Sequence, residues 1–314
     1  MLRVWPFVTM TILSTLSALF KMAPVYAHQH GRTFEEAIPA GRNFSIAEFR
    51  LWYPSMAGTL KGAVILVPGS NDDGRSLADD ATWQAFALKH KLALVGCRFT
   101  DKAHDLPFIE EYAEASQGTG PALLKALELL AIRSNQPELA ETPLLLWGFS
   151  AGGQFNYEFV AWRPERVIAF VVNKGGVYYS ALLSRSARNV PGIFFLGTKD
   201  LKVRRDAITG LFAVNRRAGA LWALAEEPGA AHIVGRSMEV AKIFFEDALA
   251  LRLPAVSTVP KMIQFEAGFV GDPSTRAFRR AGPSDQFTYT TSWLPTFRVA
   301  QAWQAMLTEK PLGP

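Results

Sequence analysis

The sequence predicts an α/β fold, a mainly parallel, doubly wound sheet with helices on both faces. Three observations carry that expectation. Continuous apolar runs rich in β-branched residues alternate with segments of helical period. Hydrophobic residues make up 49% of the 314 residues, enough for a sizeable core. Finally, Gly69, Ser150, Asp200 and His232 each follow a predicted strand, and the loops after parallel strands meet at the carboxyl edge of the sheet.

Residues 1–27 read as a secretory signal peptide. Arg3 supplies a short basic start, Val4 to Phe20 is mostly apolar, and Val25-Tyr26-Ala27 puts small residues where a signal peptidase reads. A membrane anchor is the rival, but Pro6 and the interspersed Ser and Thr weaken a spanning helix. Cleavage removes Arg3 and Lys21 and no acid, so the net charge falls from +5 to +3. That mild positive charge, without a basic run or nucleic-acid motif, argues against a nucleic-acid partner. The expected organisation is a signal peptide over 1–27, a core over 28–253, and a C-terminal extension over 254–314 packed on that core. No stable membrane anchor is expected after cleavage.

The alternation over 43–53 suggests an early, partly exposed antiparallel strand. Ala63 to Val67 is a continuous apolar run and reads as a buried strand, followed by a polar loop from Pro68 to Gly74. A helix is expected from about Asp79 to His90, a strand over Leu92 to Cys97, an irregular stretch over 98–117, and a helix from about Pro121 to Ser134. The run Leu144 to Trp147 enters a small-residue turn at Gly148-Phe149-Ser150-Ala151-Gly152-Gly153, and a helix follows from Ala151 to Trp162 until Pro164 stops it. Further strands are expected over Val167–Val172, Ile193–Leu196 and Leu221–Leu224, with helices over about Arg204–Arg217 and Ser237–Leu251. In the extension, Phe287 to Thr291 reads as a strand, and Pro295 opens a helix with Phe297, Ala300, Trp303 and Leu307 on its apolar side. Cys97 is the single cysteine, so no intrachain disulfide forms, and its apolar run makes it a small buried residue.

The turn at Ser150 fits G-x-S-x-G between a strand and a helix, the nucleophile-elbow pattern of the α/β-hydrolase fold. A serine hydroxyl needs a base, and the base needs an acid to fix its tautomer; this fold supplies them in the order Ser, Asp or Glu, His. Among the five histidines only His232 follows Ser150. Asp200, in the turn Gly197-Thr198-Lys199-Asp200, is the candidate acid, with Asp206, Glu226 and Glu227 as alternatives. Acyl transfer also needs backbone donors for an oxyanion. The candidates are the amides of Ala151, at the start of the elbow helix, and Ser70, in the loop after the third strand. Tyr178, Tyr179, Trp147 and Phe99 are candidates to line the substrate pocket, although Trp147 serves equally as core and the tyrosine pair equally as loop packing. No His/Asp/Glu group has metal-ligand spacing.

Over about residues 43–251 the chain therefore resembles the α/β-hydrolase superfamily. The Gly-x-Ser-Ala-Gly-Gly elbow after a secretory signal is similar to that of secreted polyhydroxybutyrate depolymerase-like and feruloyl esterase-like enzymes. The resemblance implies a serine carboxylic-ester hydrolase, secreted or periplasmic, working through an acyl-enzyme on Ser150 without a cofactor. Two departures stand out: Pro68-Gly69-Ser70 replaces a His-Gly type oxyanion loop, and disulfides are lacking. A small or oligomeric ester is then as good an expectation as a polymer. The rivals are a serine peptidase of the same fold and a non-catalytic binding protein that kept the fold.

Overall fold

The computed structural model describes Met1 and residues 31–312, apart from 57, 107 and 255–258. The expected signal segment thus lies, Met1 excepted, outside the described residues. Eight strands form one sheet: β1 (Gly31–Ile38), β2 (Ile46–Pro54), β3 (Gly62–Val67), β4 (Leu92–Thr100), β5 (Leu144–Gly148), β6 (Val167–Asn173), β7 (Gly192–Gly197) and β8 (Trp222–Glu227). Their spatial order is β1-β2-β4-β3-β5-β6-β7-β8. β1 and β2 pair antiparallel, β2 joins β4 antiparallel, and every neighbouring pair from β4 to β8 is parallel. A mainly parallel sheet with helices on both faces is therefore what the chain forms.

The strand sequences explain the two-faced core. β3 and β5 are buried on both sides, so every residue is apolar or glycine. Alternate residues still divide between the faces. Ala63, Ile65, Leu144 and Leu146 pack with α2 (Thr119–Ser134), α3 (Ala151–Trp162) and α5 (Lys202–Arg217). Val64, Leu66, Leu145 and Trp147 pack on the other face with α1 (Ala81–His90), α6 (Ser237–Arg252) and α7 (Phe297–Leu307). A one-turn helix, α4 (Arg185–Arg188), precedes β7. Asp80 starts α1 by accepting the amides of Thr82 and Trp83. Cys97 is buried as expected, and burial pushes its thiol pKa up, which disfavours the thiolate.

The chain ends differ from the sequence reading. β1, an edge strand, lacks a continuous apolar run; Phe34 and Ile38 alone lean on the core. In the C-terminal segment a second sheet forms, in the order β10-β9-β11, from β9 (Phe269–Asp272), β10 (Ala277–Arg280) and β11 (Ser292–Leu294). The strand expected at Phe287–Thr291 is displaced to Ser292–Leu294. Phe287 and Tyr289 are exposed, whereas Trp293 is buried and its indole donates to the Phe265 carbonyl at 2.9 Å. Burial and pairing with β9 outweigh the strand propensity of the Phe-Thr-Tyr-Thr run. Helix α7 starts two residues after Pro295, with Thr296 as its cap, and Phe297, partly exposed, packs against the Phe269 and Phe278 rings of the second sheet rather than in the core. Ser292 and Trp303 both hydrogen-bond the Leu224 carbonyl, which fastens this segment to β8. Two buried arginines reinforce it: Arg216 donates to the Thr291 carbonyl, and Arg252 to those of Val167, Ile168 and Lys261. Burial lowers each guanidinium to about 10. Among the described residues no helix is long and apolar enough to cross a membrane.

Candidate active site

The elbow between β5 and α3 is built by close approach. A methyl group on Gly148 would overlap the Gly152 carbonyl, and one on Gly152 would overlap the carbonyls of Val67 and Pro68. Only glycines let β5, α3 and the end of β3 meet there. The unusual torsion falls on Ser150 itself, with φ 54° and ψ −120°. For a residue with a Cβ such a conformation costs on the order of 1–3 kcal/mol. It is held by a 2.8 Å bond from the Ser150 amide to the Asn173 carbonyl at the end of β6. The hydroxyl is thereby lifted above the carboxyl edge of the sheet.

Two later loops come to it. After β7 the chain turns at Gly197-Thr198-Lys199-Asp200, and after β8 it runs through 228–236. They are stitched together by Thr198 N to Glu227 O (3.1 Å), Lys199 N to Ala230 O (2.8 Å) and Gly229 N to Thr198 Oγ1 (2.8 Å). As a result His232 Nε2 lies 2.9 Å from Ser150 Oγ, and His232 Nδ1 lies 2.8 Å from Asp200 Oδ2. Three residues separated by up to 82 positions form one hydrogen-bonded line. The alternative acids stay out of it: Asp206 pairs with Lys202, and Glu227 is committed to a different network. Burial works against ionisation of the Asp200 carboxyl. Hydrogen bonds from His232, the Leu201 amide and Arg204, together with the charge of His232, outweigh it and hold the group below the usual carboxylate range.

On the other side of Ser150 lies the turn after β3. A Cβ on Gly69 would sit 3.8 Å from the Ser150 Cβ, so this loop lies against the nucleophile. The Asn71 amide donates to the Tyr112 hydroxyl at 3.3 Å, which removes it as an oxyanion donor. The amides of Ser70 and Ala151 make no hydrogen bond among the described residues. Both stay available to a ligand atom.

The pocket walls differ from the sequence expectation. Trp147 is 1% exposed on the α1 side of the sheet, 6.1 Å from the Trp83 ring. Phe99 is equally buried, against Phe49, Tyr112 and Phe155. Both are core because successive strand residues alternate between faces, and neither reaches the edge where Ser150 sits. Tyr178 packs edge-on to Tyr157, and Tyr179 donates to the Glu110 carbonyl, so this pair shapes a neighbouring loop. The cavity beside Ser150, about 260 Å³, is lined instead by Phe108, Val177, Leu201 and Val203, with Glu110, Gln154 and Arg204 as its polar groups. Gln154, on the elbow helix, accepts the Gly176 and Val177 amides and donates to Glu110. One turn on, the Glu158 carboxylate accepts the Tyr179 and Ser180 amides and the Ser180 hydroxyl. Burial pushes the Glu158 pKa up despite those bonds. Sequence position offered one clue to these residues: Gln154 and Glu158 are polar groups four residues apart on a mostly apolar helix, so both share one face.

Beneath the hydrogen-bonded line is a buried ion pair that sequence reasoning missed. Lys174, fully buried and at φ 54°, donates to Glu227 Oε2 at 2.8 Å and to Asn173 Oδ1 at 3.3 Å. Glu227 Oε1 accepts the Arg236 amide at 2.7 Å, and Asn173 Nδ2 reaches the Val234 carbonyl and the Ser237 hydroxyl. The network clamps the exit of the histidine loop to the strand end that also holds the Ser150 amide.

The strand order, the antiparallel β2 before a parallel run, and a serine elbow after β5 decide the architecture. The chain has the α/β-hydrolase fold. No family model matches the sequence, and no curated protein matches it. Among solved structures, the chain is similar to LpqC, a poly(3-hydroxybutyrate) depolymerase from Bordetella parapertussis, at 16% identity and a TM-score of 0.50, covering 73% of this chain and 92% of that one. Poly(aspartic acid) hydrolase-1 from Sphingomonas sp. KT-1 aligns at 15% identity and a TM-score of 0.49, covering 70% of this chain and 100% of that one. Likeness at this identity concerns the α/β-hydrolase fold.

Proposed function

We propose that this α/β-hydrolase-fold protein is a secreted serine hydrolase of carboxylic esters. The observation that carries the reading is the line Ser150–His232–Asp200, with both hydrogen bonds under 3 Å. In this mechanism His232 takes the Ser150 proton as the oxygen attacks the ester carbonyl. Asp200, held ionised, fixes the imidazole tautomer and stabilises the imidazolium. The amides of Ser70 and Ala151 receive the oxyanion. His232 then protonates the departing alcohol, and water activated by the same imidazole releases the acid from Ser150. Export is supported by the composition of residues 1–27, and a small or oligomeric ester suits a cavity of about 260 Å³.

The test is release of p-nitrophenol from short-chain esters. The wild type should turn over at rates that Ser150→Ala lowers by about 10³ or more. Equal rates in both would sink the mechanism.

A further inference from the structure

Besides Ser150 itself, the cavity has three polar side chains, Glu110, Gln154 and Arg204, and Arg204 is the cation among them. Its guanidinium makes one hydrogen bond among the described residues, Nη1 to Asp200 Oδ1 at 3.3 Å. Asp200 is already engaged by His232 on Oδ2 and by the Leu201 amide on Oδ1. Most of the Arg204 fork is therefore uncommitted. Glu110 lines the same cavity, yet forms no ion pair with Arg204 within 4.0 Å among the described residues; its carboxylate accepts from Gln154.

The surroundings reinforce the positive wall. Lys199, Lys202, Arg204 and Arg205 stand against two acids, Asp200 and Asp206, within eight residues. Three of these cations occupy the first turn of α5, which has no acid there and no side-chain cap. The helix macrodipole disfavours cations at that end. Lys202 is offset by Asp206 four residues on, and Arg204 is the cation of this turn that lines the cavity.

We infer that the cavity takes an ester bearing a free carboxylate a few bonds from the scissile carbonyl, such as a hemiester of a short dicarboxylic acid, with Arg204 as its counter-ion. A planar guanidinium matches a carboxylate through two parallel N–H···O bonds, and the apolar walls formed by Val177, Leu201 and Val203 accommodate the methylenes between. The inference uses the ester-hydrolase reading for its kinetic arm; a binding arm stands without it.

In the kinetic arm, mono-p-nitrophenyl glutarate is compared with p-nitrophenyl pentanoate, matched in chain length. The wild type should prefer the glutarate in kcat/KM. Arg204→Gln should lower the ratio of anionic to neutral rates about tenfold or more, chiefly through KM, and Arg204→Lys should retain more of it. A proportional fall for both esters would place Arg204 in the service of Asp200 alone and overturn the subsite. Glu110→Gln should raise the anionic preference; a fall would signal that opposite charges are read together and would overturn the assignment to a purely anionic substrate.

In the binding arm, calorimetry measures monomethyl glutarate and methyl pentanoate on Ser150→Ala, with and without Arg204→Gln. Tighter binding of the glutarate that the second substitution weakens about tenfold supports the subsite even if neither ester is hydrolysed, in which case only the ester chemistry fails. Absence of any Arg204-dependent preference in binding overturns the subsite.

Discussion

Removing the Lys174 ammonium should reveal how firmly the histidine loop is clamped. Lys174→Met keeps the length of the chain but leaves Glu227 as a buried carboxylate without its counter-ion. Breaking one partner of a buried pair costs about 3–5 kcal/mol. The Arg236 amide still satisfies Glu227 Oε1, so the low end, about 3 kcal/mol, is the expected value. For a chain of this size each kcal/mol lowers Tm by about 2–4 °C, which gives a drop of about 6–12 °C. The double variant Lys174→Met with Glu227→Gln removes the charge while keeping an acceptor for the Arg236 amide. It should recover most of the loss, giving a coupling energy of at least about 1.5 kcal/mol in a double-mutant cycle. Scanning calorimetry and urea unfolding of the four proteins measure this. The rate of the proposed ester hydrolysis should follow the same order, since the network holds the loop carrying His232. A single variant within about 1 kcal/mol of wild type, or a double variant no better than the single, would refute the clamp.

Three further expectations follow from particular contacts. Asp200→Asn keeps the shape but removes the charge that, in the proposed mechanism, stabilises the imidazolium, so kcat should fall by about 10³–10⁴ with little change in unfolding midpoint; full activity in steady-state assays would remove Asp200 from the mechanism. Gly152→Ala drives a methyl into the Val67 and Pro68 carbonyls, so it should destabilise by about 1–3 kcal/mol and reduce activity by moving Ser150; a well-folded, fully active variant in denaturation and rate assays would contradict the elbow packing. Burial raises the Glu158 pKa in the folded state, so the folded protein binds this proton more tightly than the unfolded chain and loses stability as pH rises through the folded value. Glu158→Gln, which keeps an acceptor for the Tyr179 and Ser180 amides, should therefore compare more favourably with wild type at pH 7 than at pH 4 in urea titrations, and a difference independent of pH would dismiss the shift.

The carboxyl edge of the sheet is where sequence and structure agree most closely. Apolar runs such as Ala63–Val67 and Leu144–Trp147 can be recognised because a strand buried on both faces has no polar choice. The bounds of α3 follow from the elbow glycines and Pro164, whose effects are local. The positions of Ser150, Asp200 and His232 after β5, β7 and β8 follow from topology, since every parallel strand delivers its following loop to the same edge. The linear sequence thus determined the fold class and the residues available to form a serine–histidine–acid line. Tertiary structure alone decided which side chains surround that line. Trp147 and Phe99 look like pocket aromatics in sequence, yet strand alternation points them into opposite cores. Arg204, Gln154 and Glu110 arrive from three separate segments, and Lys174 meets Glu227 across two strand ends, 53 residues apart. Such meetings depend on register, sheet twist and the path of each loop, which are set by packing between distant segments and leave no periodic trace along the chain.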